Sequence, residues 1–182
     1  MLKPTPLSTP KNEYAQISLS YFFIFAAWAC VTPFFVLYLQ SLGFSGEQIG
    51  LVTGISPLIS LAAKPFWAGL ADATNRHRII LLMGVVAAIG LNLLFPVLRA
   101  FAPIFAVQIL ISVLTSHTLP LIDSATIHMM GNNKDRYGSV RVWGTVSWGM
   151  VTAIVGLVLE TIGLVYMFWI FAVLMSVNLL FL

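Results

Sequence analysis

Six apolar runs mark the chain, each followed by a short polar link or by the end of the sequence. They cover roughly residues 17–39, 48–70, 79–98, 103–128, 140–159 and 164–182. A helix that crosses a bilayer needs about 20 mostly apolar residues, so each run reads as a spanning helix. The fourth loses its apolar character near Ile122. The opening residues 1–16 are polar and proline-rich and read as a disordered tail. The run behind them is too long for the core of a cleaved signal peptide. The pattern predicts an all-α, polytopic membrane protein: a tail over 1–16 and a six-helix transmembrane bundle over 17–182.

Composition agrees. Hydrophobic residues make up 59% of the 182 and charged residues 8%, against about 25% charged in a soluble domain. The net charge of +3 is spread beside the apolar runs and forms no basic patch with interleaved aromatics, which argues against a nucleic-acid partner. Cys30 is the lone cysteine, so the chain holds no internal disulfide framework and no cysteine-based zinc site.

The few charges order the topology. Lys3 and Lys11 precede the first run, Arg76 and Arg78 separate the second from the third, and Lys134 and Arg136 separate the fourth from the fifth. The alternate links hold Glu47, Arg99 and Glu160. Lys and Arg favour the cytoplasmic side. Both termini are therefore expected in the cytoplasm, in a plasma or bacterial inner membrane. The last run ends without a polar flank or basic anchor, which suggests a fragment or half of a longer protein. Its partners would then be the lipid bilayer and a missing C-terminal half or a second copy.

Candidate chemistry gathers where ions meet apolar runs. An ion at membrane depth costs a few kcal/mol or more unless paired or hydrated, and so marks a candidate functional site. Asp123 lies towards the end of the fourth run and Arg141 opens the fifth. At about 100° per residue, Arg141, Thr145, Trp148 and Thr152 share one helical face. That face offers a cation, two hydroxyls and a flat indole. It suits a small molecule with a polar edge and an apolar or sugar-like face. Beside it, Gly138, Thr145, Gly149 and Gly156 form a small-residue stripe that would let a neighbouring helix approach.

In the second run Thr53, Ser56, Ser60 and Lys64 share a face. They read either as interhelical hydrogen-bond glue with a snorkelling lysine, or as a cavity wall. Ser56-Pro57 is expected to loosen that helix. His117, Asp123 and His128 are six and five residues apart. That spacing fits no helical metal face, so no metal is expected, and nothing in the sequence calls for a cofactor. His117 reads as a hydrogen-bonded packing residue. The link Gly69-Leu-Ala-Asp72-Ala-Thr-Asn-Arg76-His-Arg78 offers a glycine for close contact or a sharp exit, and an acid able to bond the free amides of the next helix.

The same link resembles the loop G-x-L-A-D-R-x-G-R-R/K of the major facilitator superfamily of secondary transporters. Gly69, Leu70, Ala71, Asp72 and Arg76 match, while Ala73 and Asn75 depart from it. The segment Pro120-Leu-Ile-Asp123 and the run Tyr137-Gly138-Ser-Val-Arg141-Val-Trp143-Gly144-Thr-Val-Ser147-Trp148 are similar to two branches of it. These are the oligosaccharide:proton symporters, which are lactose permease-like, and the phenylpropionate permeases. The resemblance implies the N-terminal half of a major facilitator fold, built as two three-helix repeats. It implies a conformational-switch loop at Gly69, Asp72, Arg76 and Arg78, and substrate contacts at Asp123, Arg141 and Trp148, joined by Thr145, Thr152 and Lys64 as candidates. It further implies proton-coupled symport of a sugar-like, nucleoside-like or aromatic-acid substrate. The competing class is a non-transporting membrane receptor or scaffold that keeps the fold. An enzyme is not expected, since no nucleophile–base or metal constellation is present.

Overall fold

A computed structural model describes residues 11–130 and 137–182, with the side chains of 11–13 left aside. The rest of the opening tail, with Lys3, lies outside the described residues, as do Lys134, Arg136 and the side chain of Lys11. Eight α-helices are described: α1 (Lys11–Val31), α2 (Phe35–Ser41), α3 (Gly46–Thr74), α4 (His77–Asn92), α5 (Phe101–Thr115), α6 (Thr118–Met130), α7 (Tyr137–Ile162) and α8 (Tyr166–Asn178). The tail expected over 1–16 gives way to helix from Lys11.

Three of the apolar runs are interrupted near prolines, because proline lacks an amide donor and its ring crowds the preceding turn. Pro33 separates α1 from α2, a short 3-10 turn at Phe95–Val97 surrounds Pro96 after α4, and Pro120 follows the break between α5 and α6. The loosening expected at Ser56-Pro57 does not appear, since α3 runs unbroken through Pro57 and Pro65. Its start is fixed by a capping box: the Ser45 hydroxyl accepts from the Gln48 amide and the Gln48 side chain accepts from the Ser45 amide. Its end is Asn75, in the left-handed region at φ 51°, a conformation asparagine tolerates.

Taken with their continuations, five segments are long and apolar enough to cross a membrane: Tyr14–Ser41, Gly46–Thr74, His77–Val97, Phe101–Met130 and Tyr137–Ile162. The sixth run forms the shorter α8, of 13 residues, about 20 Å at 1.5 Å per residue. The packing has an internal symmetry. The first segment packs on α7 and α8, the fifth and sixth in order. The fourth, through α5, packs on α3 and α4, the second and third. Exchanging the first three helices with the last three turns one set of contacts into the other, as a three-plus-three repeat requires.

The core is aromatic. Tyr21, Tyr38, Phe95, Phe168 and Phe171 are fully buried. The Tyr38 hydroxyl donates to the Phe95 carbonyl at 2.7 Å, a carbonyl lying next to the Pro96 interruption. Lipid cannot satisfy such a group.

On α7 the buried face is Val140, Gly144, Ser147, Val155 and Leu159. Of the stripe expected at Gly138, Thr145, Gly149 and Gly156, only Gly156 packs closely, where a side chain would lie 3.3 Å from the Phe34 ring. A side chain on Gly138 or Gly149 would meet open space, while one on Gly144 would lie 2.9 Å from the Phe25 ring. Both faces of a membrane helix are apolar, so small residues alone do not reveal which one packs. Replacing Gly144 with Ala should therefore destabilise the α1–α7 contact by about 1–3 kcal/mol, the usual range for overpacking, whereas Gly149→Ala should be neutral. Thermal unfolding of the two purified variants in detergent, compared with the parent, checks this.

Candidate functional site

The fourth segment is broken at Ser116 and His117, between α5 and α6. Pro120 has no amide to offer the Ser116 carbonyl four residues back. Side chains of α3 hold the carbonyls just ahead of the break. The Trp67 indole donates to the Val113 carbonyl at 2.8 Å, and the Ser60 hydroxyl donates to the Ser112 carbonyl at 3.2 Å. On the other side, buried His117 reaches the Ile80 carbonyl of α4 from Nε2 at 2.9 Å. A carbonyl only accepts, so Nε2 carries a hydrogen. The His117 ring also lies 4.6 Å from that of Trp67. His117 is thus the hydrogen-bonded packing residue expected of it.

Beside this break lies a cavity of about 330 Å³ walled by Ile24, Phe25, Trp28 and Thr32 of the first segment, Ser60 and Lys64 of α3, Thr115, Ser116, Thr118 and Leu119 around the break, and Trp148 of α7. A second cavity of about 460 Å³ shares Trp28, Thr32 and Ser60 and adds Thr53, Ser56, Asn92 and Gln108. Gln108 also donates to the Ser56 hydroxyl at 2.9 Å. The polar stripe of α3 is therefore both things the sequence allowed: Ser56 and Ser60 bond neighbouring helices, and Thr53, Ser56, Ser60 and Lys64 face open space. Trp148 sits edge-on to Phe25, with ring centroids 6.4 Å apart, and Phe25 occupies the room that Gly144 leaves.

Depth separates the expected site residues into two groups. At 1.5 Å per residue, Trp148 stands roughly 2 Å and Lys64 roughly 6 Å from the midpoints of their segments. Asp123 and Arg141 stand roughly 11 and 13 Å out, near the end joined by the link 131–136. Asp123 and Arg141 are not joined by a salt bridge among the described residues; the acid that meets a basic side chain there is Asp72, hydrogen-bonded to the His77 ring at 3.1 Å. Instead the fully buried Tyr21 donates its hydroxyl to Asp123 at 2.6 Å. Tyr137 lies within reach of the same carboxylate, and the Arg141 guanidinium stands 5.9 Å from the centre of the Tyr137 ring. Tyr137 thus stands near both the acid and the base. Asp123 is half-buried and Arg141 exposed. On the face of Trp148, Thr145 is exposed and Thr152 half-buried, its hydroxyl oxygen enclosed and without a partner.

The link after α3 departs from expectation in two details. The Asp72 carboxylate bonds the His77 ring rather than the amides of α4; α4 starts at Arg76 without a side-chain cap. Gly69 lies inside α3 with open space around it, so it provides neither close contact nor the exit. Arg76 and Arg78 are exposed beside them.

Sequence reading passed over Tyr21 and Trp28. The signal for Tyr21 was a hydroxyl inside a phenylalanine-rich run, which must find a partner once buried. A double-mutant cycle between Tyr21→Phe and Asp123→Asn should give a coupling of about 1–2 kcal/mol, the low end for a hydrogen bond to a charged group because Asp123 is partly exposed. Thermal unfolding of the four proteins measures it.

The model of the MFS_1 like family matches residues 14–182. The chain is 28% identical over 155 residues to the maltose permease of Geobacillus stearothermophilus, covering 85% of this chain and 39% of that protein. It is 26% identical over 168 residues to the transporter YwbF of Bacillus subtilis (strain 168), covering 88% and 41%. It is 35% identical over 106 residues to the multidrug resistance protein MdtG of Rahnella sp. (strain Y9602), covering 56% and 24%. The chain thus spans about two fifths of the length of the first two relatives. No solved structure matches it.

Proposed function

Because the chain belongs to the MFS_1 like family, we propose that it forms part of a secondary active transporter that carries a small organic solute across a membrane without making or breaking covalent bonds. The observation that carries this reading is the mid-depth cavity: a lysine, an indole and several hydroxyls face one space of about 330 Å³. Transporters of this kind bind substrate near the bilayer midplane, at the interface of repeats that rock around it. In this reading Lys64 and Trp148 contact the solute, Thr145 and Thr152 flank Trp148, and Asp123 and Arg141, linked through Tyr137, guard the nearer mouth. The segment carrying Gly69, Asp72, Arg76 and Arg78 shifts as the protein changes state. A second set of helices, encoded beyond this chain or supplied by a second copy, completes the other wall. Both termini face the cytoplasm of a cell membrane, and the proton gradient drives accumulation of a sugar-like, nucleoside-like or aromatic-acid solute.

The test is solute uptake by the full-length protein in vesicles. Uptake should saturate, collapse with a protonophore, and fall by about tenfold or more in Trp148→Ala, the scale of losing an aromatic contact together with its buried area. Unchanged uptake in Trp148→Ala would remove the indole from the site. Orientation is checked separately. A cysteine placed at Arg76 should be labelled by an impermeant reagent only after the cells are opened, and labelling in intact cells would reverse the topology.

A further inference from the structure

Three charged side chains lie in the membrane-spanning segments at some depth, and two of them have company. Asp123 holds the Tyr21 hydroxyl, and Arg141 stands over the Tyr137 ring. Lys64 has neither a salt bridge nor a hydrogen bond among the described residues. It is also the deepest of the three. It lies four residues from the middle of α3, about 6 Å along the axis, in a hydrocarbon layer whose half-thickness is about 15 Å. The remaining distance to the interface is longer than its four-carbon stem, so snorkelling does not bring the ammonium to the surface. An unpaired cation at this depth needs either water or an anion.

The described walls of the cavity that Lys64 faces carry no counter-charge. Among its described lining residues Lys64 is the one charged side chain; the others are hydroxyls, such as Ser60 and Thr115, and apolar or aromatic groups, such as Trp28 and Trp148. We propose that this cavity selects a small organic anion, with a carboxylate seated on Lys64 and a flat apolar body between Trp28 and Trp148. A single ammonium balances one negative charge, which favours a monocarboxylate over a doubly charged phosphate. The hydroxyls of Ser60 and Thr115 already donate to the carbonyls of Ser112 and Ile111, so the ammonium is the donor left for the carboxylate. A neutral solute would leave the lysine unpaired and so forgo the strongest interaction the cavity offers. This selectivity rests on the transport reading above and names the substrate class of the same site.

Two matched pairs test it on the full-length protein: benzoate with benzamide, and glucuronate with glucose. Each pair keeps its ring and exchanges the carboxylate for a neutral polar group. Thermal unfolding in detergent, titrated with each compound, gives the concentration needed for stabilisation. The anion of at least one pair should act at a concentration about tenfold lower than its neutral partner, the scale of one hydrogen bond to a charged group. Lys64→Met should abolish that preference, while Lys64→Arg should keep it. If Lys64→Met does not give a monodisperse protein, Lys64→Gln takes its place. Equal response to both members of both pairs, no response to either anion, or a preference that survives removal of the ammonium would each overturn the assignment. Saturable uptake of a neutral solute without anion preference would sink only this inference and leave transport standing. Anion binding with no uptake in vesicles would sink the transport reading and leave the anion site.

Discussion

The break at Ser116 and His117 is the constraint on which the rest of the bundle turns. A helix interrupted inside a bilayer exposes carbonyls that lipid cannot satisfy. Here the Trp67 indole and the Ser60 hydroxyl reach across from α3 to the carbonyls of Val113 and Ser112, and His117 ties the far side of the break to α4. Those bonds fix α3, α4 and the fourth segment at one spacing. They also leave a gap on the side facing α1 and α7, walled by Lys64, Ser116, Thr118 and Trp148. Polar groups that close the backbone and polar groups that line the cavity come from the same stripe of α3.

The opposite side of the cavity depends on a close approach rather than on a hydrogen bond. Gly144 admits the Phe25 ring, and Phe25 in turn meets Trp148 edge-on. The indole is therefore positioned by the α1–α7 contact, and the lysine by the α3–α5 contact. These two contacts belong to the two symmetry-related halves of the packing. The separation of Lys64 and Trp148 is therefore set jointly by these two contacts.

Much of the fold was legible in the sequence, because a run of about 20 apolar residues has few alternatives. The interruptions were announced by Pro33, Pro96 and Pro120, though the sequence left open which prolines would break a helix; Pro57 and Pro65 do not. The site was only partly legible. Lys64, Asp123, Arg141 and Trp148 stand out as polar or amphipathic residues in apolar runs. Their grouping did not, because it is set by depth and by neighbours distant in sequence. Asp123 and Arg141 look paired across a short link, yet Tyr21, about a hundred positions away, holds the acid. The packing face of α7 was misjudged for a similar reason: lipid-facing and protein-facing sides are both apolar, and only the fit of Phe25 against Gly144 separates them.

In this reading Lys64 and Trp148 share a water-accessible cavity at mid-depth in the working protein. The direct measurement is thiol reactivity in the full-length protein, with buried Cys30 replaced by serine and single cysteines at positions 64, 148 and 66. Phe66 is exposed on the opposite face of α3 from Lys64. A hydrophilic maleimide should modify the cysteines at 64 and 148 and spare the one at 66. Unreactive cysteines at both 64 and 148, or reactivity equal to that at 66, would contradict the account.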